Sequence, residues 1–394
     1  MSDSNASPAV PPRIVVVGGG AGGLELATRL GRKLGRKGKA RITLVDANMT
    51  HIWKPLLHEV AAGSLNSTED ELNYVAQGKW NHFNFQLGAM TSLDRERRTI
   101  QLAAIHDENG DELIAPRELD YDYLVISVGS TTNDFNTPGA AEHCLFLDTR
   151  AQAERFHRSL LNQYMKAQAS ERGTTREPIN VAIIGAGATG VELSAELHHA
   201  AQMLRAYGFN RISPEDLNIN IIEASPRLLP ALPERISGPV TEILRDLGVH
   251  LHTGSPVKEV KADRLVLGNG EEIPASLKVW AAGIRAPAFL ATLGMPTNRI
   301  NQLEVDRTLK VNGEERIYAF GDCAACPTDE PGKFVPPRAQ AAHQQASLLA
   351  KNLCRLLEGK PQSEYTYRDY GSLISLSSFS AVGNLMGNLT GNVM

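Results

Sequence analysis

The sequence predicts an α/β protein with two parallel-sheet domains, because one strand–turn–helix pattern occurs twice in the chain. Residues 13–30 and 179–197 each contain a short apolar strand, the pattern G-x-G-x-x-G and the start of a helix. Two further apolar strands, at residues 121–129 and 316–323, run into Gly and Gly-Asp. Buried parallel strands separated by helices are typical of doubly wound sheets. The glycine patterns predict that both domains are Rossmann-like and bind dinucleotides.

The first glycine motif follows the apolar strand Ile14–Val17 and contains the candidate cofactor-binding residues Gly18, Gly20, Gly22 and Gly23. Such glycines permit a tight turn, the approach of a pyrophosphate to the backbone and close packing of the helix on the strand. The helix N-terminus also favours a phosphate. The next strand ends at Asp46, a little beyond the usual spacing, where a carboxylate can bind ribose hydroxyls. The alternative is a glycine-rich turn that binds nothing.

The second glycine motif repeats the first with Gly185, Gly187 and Gly190. A polar insertion around residues 207–217 delays the next strand, which ends at Glu223, 33 residues after Gly190. Two such motifs on separate strands imply two dinucleotides, whereas a dehydrogenase with one cofactor needs only one motif.

Composition excludes several classes of protein. Hydrophobic residues make up 42% and charged residues 21% of the 394 residues, as in a globular protein of two or three domains. The net charge of −4 argues against a nucleic-acid-binding protein. Four cysteines in so long a chain indicate a reducing compartment, and no Cys/His spacing predicts a metal site. Residues 1–12 predict a flexible arm and not a signal peptide, and no apolar run reaches the roughly 20 residues of a transmembrane helix.

A basic cluster follows the first helix, with seven Lys and Arg residues between Arg29 and Arg41. We interpret it as a solvated helix end whose cations complement the helix dipole. The alternative is a surface that docks on anionic lipid headgroups.

The two glycine motifs and the late Gly-Asp strand are similar to those of two-dinucleotide-binding-domain flavoproteins. Within this superfamily the chain resembles the type II NADH dehydrogenases, the single-subunit NADH:quinone oxidoreductases, from about residue 13 to its end. The resemblance rests on residues 53–65, 185–197, 318–324 and 338–346. The last segment contains A-Q-x-x-x-Q, the family's quinone motif, at Ala339, Gln340 and Gln344. The glycine motifs belong to the whole superfamily, and their combination with A-Q-x-x-x-Q is more specific.

The resemblance implies that the first motif binds FAD, that the second binds NADH, and that two electrons pass to a membrane quinone without proton pumping. It implies an FAD-binding domain at residues 13–150 and 278–346, an NADH-binding domain at residues 151–277 and a C-terminal segment at residues 347–394. A peripheral position at the cytoplasmic face of the inner membrane follows from it, and a homodimer is compatible with it.

Resemblance also suggests roles for residues outside the glycine motifs. Asp322 is expected to bind the ribityl or phosphate region of FAD, although it could equally be a helix N-cap. Lys54 is expected near the flavin ring, with a solvated surface lysine as the alternative. The remaining cofactor-binding candidates are Gly129, Gly283, Gly321 and Ala339.

Three residues, Glu192, Gln340 and Gln344, are expected to act in the reaction itself, and Glu223 is expected to bind the nucleotide. Glu192 is expected to face the nicotinamide–flavin contact, and its alternative role is to complement the N-terminus of the second helix from within the first turn. Gln340 and Gln344, four residues apart on one helix face, are expected to bind the quinone carbonyls, or else to be solvated. Glu223 is expected to bind the ribose of NADH and to repel NADPH, a preference that Arg227 weakens slightly.

The pair Cys323 and Cys326 forms C-x-x-C, so a redox disulfide must be weighed. Disulfide reductases of the superfamily place such a pair elsewhere, which favours a structural role for these cysteines.

Members of the family usually continue past the tail of this sequence into an amphipathic, basic segment that binds the membrane. We expect that such a segment is missing here, since Leu389, Val393 and Met394 would otherwise be uncovered. The alternative is that this member is soluble. Two other functions fit the glycine motifs: an NADH-dependent reductase of a small iron–sulfur protein, and a flavin-dependent NADH sensor with little turnover.

Overall fold

The computed structural model describes residues 10–66, 69, 71–169, 178–206, 216–385 and 388–391. Most of the predicted flexible arm, the linker before residue 178, most of the polar insertion and the last residues of the tail lie outside these ranges. The chain divides into two compact units. Unit 1 comprises Met1–His51, Glu71–Thr131 and Arg285–Arg368, and unit 2 comprises Ile52–Asp70, Thr132–Ile284 and Asp369–Met394.

The α-helices of the described residues are α1 (Ala21–Lys33), α2 (Leu57–Ala62), α3 (Tyr74–Asn81), α4 (Ala140–His143), α5 (Arg150–Ala169), α6 (Ala188–Ala206), α7 (Glu234–Asp246) and α8 (Ala339–Leu357). Short 3-10 helices occur at Gly35–Lys37, Lys54–Leu56, Ala288–Thr292 and Gly321–Cys323.

Ten strands form the two large sheets: β1 (Arg13–Val17), β2 (Arg41–Asp46), β3 (Asn84–Leu87), β4 (Tyr123–Ile126), β5 (Leu145–Phe146), β6 (Ile179–Ile184), β7 (Leu217–Ile222), β8 (His250–His252), β9 (Leu277–Trp280) and β10 (Ile317–Ala319). Three small sheets are three-stranded: Met90–Asp94, Thr99–Leu102 and Arg117–Asp120; Val257–Val260, Arg264–Leu267 and Glu272–Pro274; Gly371–Leu376, Ser380–Leu385 and Asn388–Gly391. Shorter strands lie at Thr50–His51, Leu72–Asn73, Ile105–His106, Glu112–Ile114, Thr131–Thr132, Ile284–Arg285, Leu303–Glu304 and Ala324–Ala325.

The two large sheets arrange their strands alike, except that the edge strand comes last in the chain in unit 1 (β10) and first in unit 2 (β5). This arrangement confirms the predicted fold class. The sheet of unit 1 has the strand order β10-β4-β1-β2-β3, and that of unit 2 has the order β5-β9-β6-β7-β8. Every neighbouring pair in both sheets is parallel. Each glycine motif therefore follows the central strand of its sheet, and each predicted ribose-binding acid follows the adjacent strand.

Separate apolar cores stabilise the two units. β1 is buried at Ile14–Val17, and α1 buries an apolar face at Leu24, Ala27 and Leu30. In unit 2, β6 is buried at Val181–Ile184, and α5 buries Phe156, Leu160 and Tyr164. Buried parallel strands consist of continuous apolar runs because both of their faces are covered.

The division into units differs from the predicted domain ranges. Residues 52–70 and 132–150 were expected with the first domain, and both belong to unit 2. The reason at residues 132–150 is that β5 pairs with β9, an inner strand of the second sheet. The predicted C-terminal segment is divided as well, since α8 belongs to unit 1 and the antiparallel strands after residue 369 belong to unit 2.

Candidate functional site

The first glycine turn has three different environments at its three glycines. Gly18 adopts φ +96°, and a Cβ there would crowd the carbonyl of Ser127, so the turn requires glycine. A Cβ on Gly20 would meet nothing within 4 Å. A Cβ on Gly23 would overlap Gly18 O, because α1 packs closely on the turn. The turn therefore has one open position, directly before the N-terminus of α1.

The second glycine turn repeats these environments in unit 2. Gly185 has φ +104°, the Cβ position of Gly187 is open to 4 Å, and a Cβ on Gly190 would overlap Gly185 O. Gly22 differs from the others, because a Cβ there would overlap the ring of Phe320. Gly22 therefore serves packing, whereas the two open glycines leave room for a ligand.

The acid at the end of β2 and the acid directly after β7 each bind the glycine turn of their own unit. Asp46 accepts a hydrogen bond from Gly19 N at 2.7 Å, and Glu223 accepts one from Ala186 N at 2.8 Å. Gly19 and Ala186 occupy the same place, between the first two glycines of their motifs. The prediction assigned the carboxylates to ribose alone, and the structure adds that they hold the turns in place.

Two residues that the sequence analysis missed also hold the first turn. The hydroxyl of buried Tyr74 donates to Gly19 O at 2.8 Å, and Ser127 Oγ donates to Gly18 O at 2.9 Å. Burial raises the pKa of the Tyr74 phenol, so it stays protonated and remains a donor. Ser127 lies in a strand that the sequence analysis recognised, whereas nothing in the local sequence points to Tyr74.

The Gly-Asp segment is oriented by side chains from distant parts of unit 1. Ser130 Oγ donates to the Asp322 carboxylate at 2.8 Å, and Gln345 Oε1 accepts from Gly321 N at 2.8 Å. The alternative of a helix N-cap is wrong for Asp322, because Asp322 lies inside a short 3-10 helix whose N-cap is Phe320. Its carboxylate is therefore held by a side chain instead of by a helix N-terminus.

Two other predicted glycines, Gly129 and Gly321, adopt positive φ in unit 1, at +71° and +73°. In unit 2, Gly283 has φ +67°, and its Cβ position would overlap the ring of Phe135. Lys54 is exposed and pairs with Asp148 at 3.1 Å. Asp148 also accepts hydrogen bonds from the backbone and hydroxyl of Thr132, so Lys54 is anchored to a rigid partner.

Helix α8 begins at Ala339 and carries both glutamines of the A-Q-x-x-x-Q motif. Gln344 binds the backbone of Arg368 with both ends of its amide: Nε2 donates to Arg368 O at 2.7 Å and Oε1 accepts from Arg368 N at 3.1 Å. Oε1 also accepts from the Tyr365 hydroxyl at 3.4 Å. His343 pairs with Glu25 of α1, so it has a different partner from Gln344, as the helical spacing predicts. Gln340 is half-buried in the first turn of the helix.

Glu192 is a buried carboxyl group in unit 2. It is the fifth residue of α6, so the alternative of an acid in the first turn is wrong. Ser375 N donates to Oε1 at 3.1 Å, and His58 Nδ1 lies 3.9 Å from Oε2. Burial raises the pKa of Glu192 to about 7; the Ser375 bond opposes this rise and the charge of Glu59 adds to it. A carboxyl group with this pKa can both release and accept a proton near neutral pH.

The cysteines of the C-x-x-C pair are free thiols with no exposed surface. Burial raises the pKa of both Cys323 and Cys326 to about 12, which disfavours the thiolate that disulfide exchange requires. The geometry therefore supports a packing role for the pair.

In the part of the chain that the structure describes, no three His, Cys, Asp or Glu side chains come together in a way that could hold a metal ion. No helix of that part of the chain is both long enough and apolar enough to span a bilayer.

Comparison with known proteins supplies an independent line of evidence. The family model described as "Pyridine nucleotide-disulphide oxidoreductase" matches residues 12–346. The type II NADH:quinone oxidoreductase of Haemophilus influenzae is 46% identical over 385 residues, which cover 94% of this chain and 86% of that protein. The enzyme of the same name from Staphylococcus aureus is 28% identical over 381 residues, covering 95% and 90%.

The fold is also found among solved structures. The structure of NDH2 from Plasmodium falciparum in complex with NADH matches with a TM-score of 0.83 at 20% identity. The match covers 96% of this chain and 91% of that one. At this identity the likeness concerns the fold alone.

Proposed function

Because this chain belongs to the pyridine nucleotide-disulphide oxidoreductases and, within them, to the type II NADH:quinone oxidoreductases, we propose that it oxidises NADH and reduces a quinone. It is an oxidoreductase by family, and the two glycine turns support two nucleotide sites. The single observation that carries the proposal is the relative at 46% identity over 94% of the chain.

FAD belongs to the proposal because the first glycine turn fits a pyrophosphate. The open position at Gly20 permits the close approach of a ligand to the backbone, and the N-terminus of α1 follows directly. When bound, FAD accepts a hydride from NADH and passes the electrons on. Asp46 would bind the ribose and Asp322 the ribityl or phosphate region, while Lys54 would supply a positive charge near the ring.

NADH is assigned to the second glycine turn. Gly187 leaves the same open position as Gly20, and Glu223 is placed by Ala186 N at the end of the neighbouring strand. Arg227 donates to Leu229 O and Pro230 O, at 3.2 and 2.8 Å. Because these carbonyls occupy the guanidinium, Arg227 is less able to bind the extra phosphate of NADPH than its position in the sequence suggests. It therefore weakens the expected preference for NADH only slightly.

The quinone is assigned to α8, with Gln340 as the first candidate. Gln344 stays in the proposal, but its bonds to Arg368 mean that it also holds the segment after α8. Reduction of a quinone by NADH consumes one proton from solvent, and Glu192 is suited to hold that proton near neutral pH. A reaction without proton pumping, a peripheral position at the cytoplasmic face of the inner membrane and a homodimer are carried over from the family.

Stopped-flow absorbance tests the function by separating the two half-reactions. We expect NADH to reduce the flavin of the wild-type enzyme and a water-soluble quinone to reoxidise it. Replacing Gln340 by alanine should slow reoxidation about tenfold, because a hydrogen bond to the quinone is lost, and should change flavin reduction less than twofold.

Lys351→Ala is the matched control, because Lys351 is an exposed residue of the same helix. It should leave both phases unchanged. Reoxidation at the wild-type rate in Gln340→Ala would show that the quinone does not bind at Gln340. Electron transfer to a small iron–sulfur protein, with none to quinone, would contradict the proposed function.

Substitution of Glu223 tests the nucleotide preference. The wild-type enzyme should prefer NADH, and Glu223→Gln should raise the KM for NADH about fivefold and narrow the gap to NADPH, since the charge that repels the extra phosphate is removed. Glutamine is chosen because one oxygen can still accept the Ala186 bond. Flavin content and kcat with saturating NADH should be little changed. Glu234→Gln, at an exposed position of α7, is the control. Equal use of both nucleotides by the wild-type enzyme would contradict the role of Glu223.

A further inference from the structure

The basic cluster that follows the first helix has no part in the proposed function. Arg29, Arg32, Lys33 and Arg36 are spaced as i, i+3, i+4 and i+7, so they project from one side of α1 and its 3-10 extension. Lys37, Lys39 and Arg41 follow and are exposed. We call these seven residues the basic face. It stands out in a protein whose net charge is −4.

Most of this positive charge is not neutralised. Over the described parts of the chain, no ion pair involves Lys33, Arg36, Lys37, Lys39 or Arg41. Two neighbouring acids have partners of their own. Glu25 binds Arg29 and His343, and Glu358 binds Lys360. An exposed group of cations with few neighbouring acids attracts an anionic partner.

An exposed tryptophan adjoins the basic face. Trp80, near the C-terminus of α3, is 70% exposed. Helix α3 ends against α1, where Arg32 Nε donates to Asn81 Oδ1 at 2.7 Å. Gly31 and Gly35 lie so close to the carbonyls of Asn81 and His82 that a Cβ on either would overlap them. These contacts hold the end of α3, which carries exposed Trp80, against the helix that carries the basic face.

We propose that the basic face and Trp80 form a docking surface for an anionic lipid bilayer. Each Lys or Arg near such a surface adds to the attraction, and indole rings favour the headgroup level of a bilayer. Cations alone bind weakly and are screened by salt, and the tryptophan adds apolar contact. A single exposed tryptophan among cations fits a flat interface better than a nucleic acid, which stacks on several aromatic rings. This surface is independent of the proposed electron transfer.

Vesicle sedimentation with the flavin-loaded full chain tests the surface. The wild-type protein should bind phosphatidylcholine vesicles that contain 30% phosphatidylglycerol, bind pure phosphatidylcholine vesicles at least about tenfold more weakly, and dissociate as salt is raised. The triple variant Arg36→Glu, Lys37→Glu, Lys39→Glu should lose at least about tenfold in affinity for the anionic vesicles. The control Arg155→Glu, Arg158→Glu, Lys166→Glu changes the net charge equally at exposed positions of α5 and should bind like the wild type.

Fluorescence reports on Trp80 directly. Anionic vesicles should shift wild-type tryptophan emission to the blue, and Trp80→Phe should remove that shift and weaken binding about threefold. Oxidation of NADH with a water-soluble quinone should be unchanged in the triple variant, which shows that it folds. Three results would overturn the proposal: equal binding to neutral vesicles, unchanged vesicle binding in the triple variant, or binding to heparin without binding to vesicles.

Discussion

Replacing Gly20 by alanine is expected to release FAD from a chain that still folds. Gly20 has φ −61° and ψ −169°, which alanine adopts readily, and the added Cβ would meet no protein atom within 4 Å. The methyl group would instead occupy the space through which a pyrophosphate approaches the backbone. The Kd for FAD should therefore rise at least about tenfold, measured by flavin absorbance after dialysis.

Gly187→Ala provides a crossed control, because it adds the same methyl group at the equivalent position of unit 2. The Gly187→Ala variant should keep FAD and raise the Kd for NADH about tenfold, whereas Gly20→Ala should mainly raise the Kd for FAD. Gly23→Ala is different in kind, since its Cβ would overlap Gly18 O, and it should destabilise the whole turn. Wild-type affinity for FAD in Gly20→Ala would show that the pyrophosphate does not bind at this turn.

Replacing Glu192 by glutamine is expected to stabilise the protein in a pH-dependent way. Burial raises the pKa of Glu192 from 4.5 to about 7, so the folded chain keeps a proton that the unfolded chain releases between these values. The wild-type protein therefore loses stability as the pH rises through this window, by about 3 kcal/mol above pH 7, at 1.36 kcal/mol per unit. Glutamine does not titrate, so the gain in free energy of unfolding from Glu192→Gln should be close to zero at pH 4 and largest at pH 8.

Urea midpoints at the two pH values measure this difference. Glu242→Gln is the control, because Glu242 lies on the exposed side of α7 with 69% of its side chain accessible, and it should change the free energy of unfolding by less than about 0.5 kcal/mol. A constant difference between Glu192→Gln and the wild type across this pH range would show that Glu192 ionises normally. In stopped flow, loss of its proton should slow reoxidation by quinone more than flavin reduction.

Local sequence was sufficient for the two glycine turns and the strands on either side of them. A turn at positive φ requires glycine at Gly18 and Gly185, and a buried parallel strand requires a continuous apolar run. Both requirements act over a few residues, so they can be recognised without the rest of the chain. The repeated order of motif, second strand and acid was likewise visible at Asp46 and Glu223.

The contacts that orient these turns could not be predicted in the same way. Tyr74 reaches Gly19 from 55 residues away, and Ser130 reaches Asp322 from 192 residues away. Such pairs depend on which elements pack together, and no local pattern encodes that choice. The same holds for Gln344, whose amide is taken by Arg368.

By itself, the sequence of this protein determined the fold class and the two glycine turns, because backbone conformation and hydrophobic periodicity are local properties. Its motifs also carried the resemblance to the family. The tertiary structure decided which segments join each unit, which side chains hold the turns, and that Glu192 lies buried with its pKa near 7. It also packed the end of α3, which carries exposed Trp80, against α1. The physical reason is that burial and long-range hydrogen bonds depend on the packing of distant segments, which one stretch of sequence does not specify.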